Sequence, residues 1–240
     1  VLEHLRPTPT LYPEPEKGLG RVLAQWADDT LFWAAMAWNL QPRGREQLFA
    51  HADAQAREAF SRDRAAMSAT GMTRLRPEDA ASAYKSYLRR LSDMLDDRPF
   101  LLGEVPCIAD FAAYHPLWFT RTRVPAVAGI LDLTPAVLDW MDRMALIGHG
   151  ESSELAPADA IAIAAAAMPA PLPQEAFQDD HGLPLGSRVT VAAERFGTET
   201  TEGTLVAATR MHLTLRREDE RAGVLHVHFP RIGYVLKAAE

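Results

Sequence analysis

The sequence has a single cysteine, Cys107, so no disulfide can form within the chain. That suits a reducing compartment, and the expected location is cytoplasmic. Positive charge is in deficit: 25 Lys and Arg stand against 32 Asp and Glu, a formal net charge of −7. Nucleic acid and anionic membrane surfaces demand clustered basic residues, so neither is an expected partner. Long apolar runs are missing too. The most apolar stretch, Ile161–Met168, is short and mostly alanine, which excludes a bilayer-spanning helix. Glu3, His4 and Arg6 interrupt the first residues, so no secretory leader is expected there. There is no glycine-rich nucleotide loop and no Ser-His-Asp pattern with supporting motifs.

What is present is ample apolar material. Hydrophobic residues make up 48% of 240, enough for one large domain or for a medium one with a small companion. Residues 6–17 carry four prolines and read as an extended connector. Helical periodicity then predicts one helix over 18–40, with Leu19, Val22, Leu23, Trp26, Trp33 and Ala37 as its stripe. Leu31, Phe32, Ala35 and Met36 spread the apolar surface to other faces, as in a helix that is central or borders a cleft. A more polar helix is predicted over 45–69 with a stop at Gly71. A third opens at Pro77-Glu-Asp79, carries Ala80, Tyr84, Tyr87, Leu88, Leu91 and Leu95, and ends before Pro99.

The next helix starts near Cys107. Asp110, three residues on, can accept from the free amide at 107, the acidic half of a capping box. Cysteine in the other half makes the box one-sided. Pro116 lies inside this helix and should bend it. A fifth helix starts at Thr134-Pro135 and runs to Gly148, and an alanine-rich sixth covers 157–168. Met168-Pro-Ala-Pro-Leu-Pro173 then reads as a linker.

After Leu185 the period changes to two. Short β-branched segments are predicted at 187–196, 203–208, 211–216, 223–229 and 234–237, enough for a small barrel or bent sheet. From Leu183 onward eight Arg and Lys meet seven Asp and Glu, so the acidity belongs to the helical part. The run Arg216–Arg221 mixes signs and reads as a solvated hairpin turn. His226 and His228 alternate on one strand and, with His212, could form a three-histidine metal site. No carboxylate or cysteine spacing supports it, so exposed histidines are the preferred reading and no metal is expected.

The segment Gly103-Glu-Val-Pro-Cys-Ile-Ala-Asp-Phe111 resembles the helix-start motif of glutathione S-transferase C-terminal domains, which usually carry Ser or Thr where Cys107 stands. The Phe100-Leu-Leu-Gly lead-in, the run to Trp118-Phe119 and the helix order over about 18–168 are similar to that family. The opening Val1-Leu-Glu-His-Leu5 and the stretch ending Leu-Tyr-Pro13 resemble the last helix of the family's thioredoxin-like domain and the interdomain linker. The implied fold is mostly α: a transferase C-terminal-like bundle followed by a small, all-β, barrel-like module. The expected divisions are 1–17 (end of a preceding domain and linker), 18–170 (helical domain), 171–185 (linker) and 186–240 (β module).

The resemblance implies glutathione as co-substrate, held mainly by a thioredoxin-like domain that also supplies the thiol-activating residue. No catalytic residue is therefore expected in this chain, which alone should be inactive. The helical domain would lend a wall to the pocket of a small electrophile and the surface of a homodimer. On that implication Trp26, Thr30, Trp33, His115 and Trp118 are the candidate substrate-binding residues, and Asp29, beside Asp28, is the candidate for glutathione. Core aromatics and solvated acids are the plainer alternatives. Cys107 reads more readily as an inert buried thiol than as a reactive one. The alternative to an enzyme is a non-catalytic transferase-like scaffold whose β module recognises a partner or ligand.

Overall fold

A computed structural model describes residues 10–68, 75–172, 174–178 and 180–239. The expected helix end at Val1–Leu5 and the stop at Gly71 lie outside them. Among the described residues are eight α-helices followed by five strands: α1 Lys17–Trp26, α2 Phe32–Asn39, α3 Pro42–Leu48, α4 Ala54–Met67, α5 Pro77–Met94, α6 Ile108–Trp118, α7 Pro135–Leu146, α8 Pro157–Ala166, β1 Arg188–Ala193, β2 Thr201–Ala208, β3 His212–Asp219, β4 Gly223–Pro230 and β5 Tyr234–Ala238. Four helices, α3, α5, α7 and α8, begin on proline. The first turn needs no amide there, and proline's fixed φ is already helical.

The chain falls into two compact units, Val1–Arg57 with Thr73–Glu151, and Glu58–Met72 with Ser152–Glu240. In the first, α5 buries the core of the apolar stripe its spacing predicts. Tyr84, Leu88 and Leu91 meet Val137, Trp140, Met141 and Met144 in one core with Ala109, Ala113 and Leu117 of α6.

The first predicted helix differs in two ways. It is interrupted by a π-helical turn, Ala27–Leu31, between α1 and α2. Its buried face is also not the large apolar stripe. Leu19 and Val22 are 51% and 63% exposed, while Gly20, Ala24, Ala27, Leu31, Ala34 and Ala35 are buried. Small residues let α1 lie close on α6: a Cβ at Gly20 would stand 3.5 Å from Leu102 and 3.8 Å from Ile108. Periodicity locates an apolar face, but close helix approach selects the face with the smallest side chains.

The helix predicted over 45–69 is two helices, α3 and α4. The break has a local cause. Asp53 caps α4, its carboxylate accepting the Ala56 amide at 2.7 Å. Gly44 of α3 is buried against the end of α2, where a Cβ would overlap the Asn39 carbonyl oxygen and touch Val124 at 3.0 Å.

The second unit carries an antiparallel sheet in the order β4-β3-β2-β1-β5. The chain meanders through four strands, and β5 returns to pair with β1 from Val189–Ala238 to Ala193–Tyr234. Its core is Val189, Val191, Leu205, Ala208, Leu213, Leu215 and Leu236. Alternation puts Val189 and Val191 on one face, as period two requires. α8 packs on β4, and the end of α4 meets the β1–β2 connection, where the Gly197 amide donates to the Met67 carbonyl at 3.1 Å. The charged run at 216–221 is mostly strand, not turn. β3 continues to Asp219, whose carboxylate accepts the amides of Arg221 and Ala222 and closes a short hairpin. Those two amides hold the Asp219 carboxyl below the usual range.

Candidate functional site

The π turn decides how the aromatic residues of the first helical stretch are distributed. An extra residue in one turn rotates everything beyond it by about 100° relative to a continuous α-helix. Trp26, before the turn, borders the core and meets Tyr87 of α5 edge-on at 5.6 Å between ring centroids. Trp33, after it, meets Phe32 edge-on at 5.1 Å. Phe32 in turn stacks on His115 of α6, with centroids 6.0 Å apart and planes 24° from parallel. Trp26 and Trp33 therefore have different aromatic neighbours.

His115 is exposed on α6, and helical spacing puts Phe111 one turn before it and Trp118 one turn after. Phe111 is 37% and Trp118 36% exposed. The Phe32–His115 stack makes an aromatic corner between α2 and α6, with Trp33 against Phe32 and with Phe111 and Trp118 a turn either side of His115 along α6. Thr30 and Asp29 sit in the π turn, both half-buried. Asp28 faces the same corner electrostatically. Burial raises its carboxyl pKa above the usual range, and the charge of His115 partly reverses the shift. The sequence had singled out His115, Trp33 and Trp118 but not Phe32 or Phe111. The readable signal was the polar island Asp28-Asp29-Thr30 inside an otherwise apolar helix.

Two buried polar networks hold α6 in place. At its start, Asp110 accepts four hydrogen bonds. Oδ1 receives the Leu101 amide and the Trp140 indole, each at 2.9 Å. Oδ2 receives the Cys107 amide at 2.9 Å and the Cys107 thiol at 3.2 Å. The carboxylate thus ties the Phe-Leu-Leu-Gly lead-in and α7 to the helix start. The thiol donates to Oδ2 while its sulfur faces the Asp110 amide, so both halves of the capping box are present and the box is not one-sided as the sequence suggested. Burial and the adjacent Asp110 charge push the thiol pKa up to about 11, which favours the protonated, weakly nucleophilic thiol.

At the far end a second π turn, Phe119–Arg123, follows α6. Thr120 Oγ1 donates to the Pro116 carbonyl at 3.1 Å, and receives Tyr84 Oη and Asn39 Nδ2, each at 2.9 Å. The Pro116 carbonyl thus accepts the Thr120 hydroxyl as well as the Phe119 amide, and α2, α5 and α6 are joined at one buried hydroxyl. Burial raises the Tyr84 phenol pKa.

In the β unit His226 and His228 meet edge-on at 6.4 Å, and His228 Nδ1 bonds Thr214 Oγ1 at 3.0 Å. Among the described residues no group of three or more His, Cys, Asp or Glu is arranged to hold a metal ion. Nor is any helix there long and apolar enough to cross a membrane.

Residues 42–143, from α3 to near the end of α7, match the family described as glutathione S-transferase, C-terminal domain. A GST-like protein from Pseudomonas syringae, solved as a crystal structure, is 36% identical, with a TM-score of 0.80. The match covers 99% of this chain and 74% of that one. The chain belongs to the glutathione S-transferase-like proteins. The match takes in the β unit of this transferase-like protein as well as its helices, so the two-part architecture is shared with the Pseudomonas protein. A glutathione S-transferase from Rhodospirillum rubrum F11 is 18% identical, covering 65% of this chain and 63% of that one, with a TM-score of 0.41. The beta-etherase LigF of Sphingobium sp. strain SYK-6 is 19% identical, covering 60% and 65%, with a TM-score of 0.40. Likeness at that level says nothing about the chemistry of this chain. No curated protein matches the sequence.

Proposed function

We propose that the protein is a cytoplasmic glutathione-dependent transferase and that this chain supplies the apolar wall against which an electrophilic substrate lies. Glutathione, held mainly by a thioredoxin-like domain of the full-length protein, provides the nucleophile. Its thiolate sulfur bonds to the electrophilic carbon, the leaving group departs with its electron pair, and the thiol proton passes to solvent. The observation that carries the reading is the Phe32–His115 stack, with Trp33 against Phe32, on helices of a transferase-like unit. Flat apolar side chains presented by packed helices bind a flat apolar body with little entropic loss. Asp28 and Asp29 in the adjacent π turn offer carboxylates to an ammonium group such as that of glutathione. A homodimer is part of the same proposal.

The test uses the full-length gene product. It should be retained on immobilised glutathione and conjugate 1-chloro-2,4-dinitrobenzene. Phe32→Ala and His115→Ala should raise KM for the electrophile several-fold while leaving KM for glutathione within about twofold. Light scattering should report twice the chain mass. No retention and no conjugation would overturn the enzyme reading and favour a scaffold.

A further inference from the structure

One ring of the aromatic corner is more than a flat surface. His115 is exposed, and a face of its imidazole lies on Phe32, with centroids 6.0 Å apart and planes 24° from parallel. The stack sets the plane of the ring and uses only its π surface. The two nitrogens, on the ring edge, make no hydrogen bond and no ion pair among the described residues. The aromatic side chains around it, Phe32, Trp33, Phe111 and Trp118, carry no group that titrates near neutral pH. Among these rings His115 is therefore the one that can hold and release a proton. Its helix is tied at both ends, by Asp110 at the start and by Thr120 beyond Pro116, so the imidazole rides on a fixed element. The π turn packs on the same helix and brings Asp28 within electrostatic reach. Attraction between that carboxylate and the charged ring partly offsets the burial of Asp28.

We infer that His115 is a catalytic proton donor to electrophiles that take up the thiolate's electron pair on an oxygen, and not only part of the wall. This deepens the transferase reading above and rests on it. In a conjugated ketone the glutathione sulfur bonds to the β carbon. The C=C pair moves to form the enolate, and the carbonyl π pair moves onto oxygen. The imidazolium gives a proton to that oxygen and leaves a neutral enol, which rearranges to the saturated ketone in water. The neutral imidazole then recovers a proton from solvent, equal to the one the glutathione thiol released. A chloroarene makes no such demand, because chloride departs with the electron pair and nothing has to be protonated. The two kinds of electrophile therefore depend on the His115 nitrogens to different degrees, although both lie on the same rings.

The test compares two electrophiles, 4-phenyl-3-buten-2-one and 1-chloro-2,4-dinitrobenzene, with glutathione and the full-length gene product. The quantity read is kcat for the ketone divided by kcat for the chloroarene. His115→Phe keeps a flat ring against Phe32 and removes both nitrogens. It should lower that ratio at least about tenfold, with KM for the ketone within about threefold. His115→Gln keeps an N–H donor and gives up the stack, so it should raise KM for the ketone and retain more of the ratio than His115→Phe does. Both replacements fall at an exposed position, and circular dichroism checks that the fold survives. A ratio that does not change in His115→Phe overturns the inference and leaves the transferase reading standing. Turnover of the chloroarene with none of the ketone by the unsubstituted protein overturns it too. If the unsubstituted protein turns over neither, the transferase reading fails and this one falls with it.

Discussion

Removing the Asp110 carboxylate tests the reading of the α6 start most sharply. Asp110→Ala deletes the acceptor of four hydrogen bonds and strands three strong buried donors: the amides of Leu101 and Cys107 and the indole of Trp140. At about 1–3 kcal/mol per unsatisfied buried donor, the expected loss for three is roughly 3–9 kcal/mol. That is a large share of the ~5–15 kcal/mol that keeps a typical protein folded. Asp110→Asn keeps the shape and one oxygen. Its NH2 must then face either the Cys107 amide and thiol or the Leu101 amide and Trp140 indole, so donor meets donor. The expected loss is about 2–4 kcal/mol. Cys107→Ser should move the other way, because a hydroxyl donates more strongly to Oδ2 than a thiol does, a gain of up to ~1 kcal/mol. All five tryptophans, at 26, 33, 38, 118 and 140, lie in the helical unit, so urea unfolding followed by tryptophan fluorescence reports that unit alone. If Asp110→Asn matched the parent within ~0.5 kcal/mol, the carboxylate would not be the acceptor hub described, and the reasoning would fail.

Two further outcomes follow from the same packing. Gly44→Ala places a methyl group on the Asn39 carbonyl oxygen and against Val124, so α3 must move off the end of α2. Since overpacking costs about 1–3 kcal/mol or more, chemical denaturation should show a loss of at least ~2 kcal/mol, whereas Gly18→Ala, in open space, should be near neutral. Cys107 should resist iodoacetamide in the folded chain and react at once in urea, because its thiol pKa is pushed up to about 11. Its proton is held more tightly folded than unfolded, so the stability linked to it is complete below the unfolded value of about 8.5 and is lost as pH rises through the folded one. Thermal melts should fall more steeply between about pH 9 and 11 in the parent than in Cys107→Ser, where nothing ionises at that position.

The helical period of α5 named its buried residues in advance, because the helix buries one broad face and the spacing of large apolar residues records it. The strands of the β unit were readable for the equivalent reason, a period of two. The motif at Gly103–Phe111 also identified the family, since a glycine, a cap and an aromatic helix at fixed spacing reflect a local backbone path. The candidate site was legible only in part. His115 and Trp33 do lie at one corner, but Phe32 joins them and Trp26 turns to Tyr87.

The sequence alone established the division into helices and then strands, the buried stripe of α5 and the motif that marks the family. Tertiary structure decided which face of α1 is inside, where the π turn redirects the aromatic residues, and that Asp110 serves four donors from three parts of the chain. A period counts residues along one helix at a constant angle. It cannot register an extra residue in a turn, the closeness of a neighbouring helix, or a donor that arrives from thirty residues away, as the Trp140 indole does.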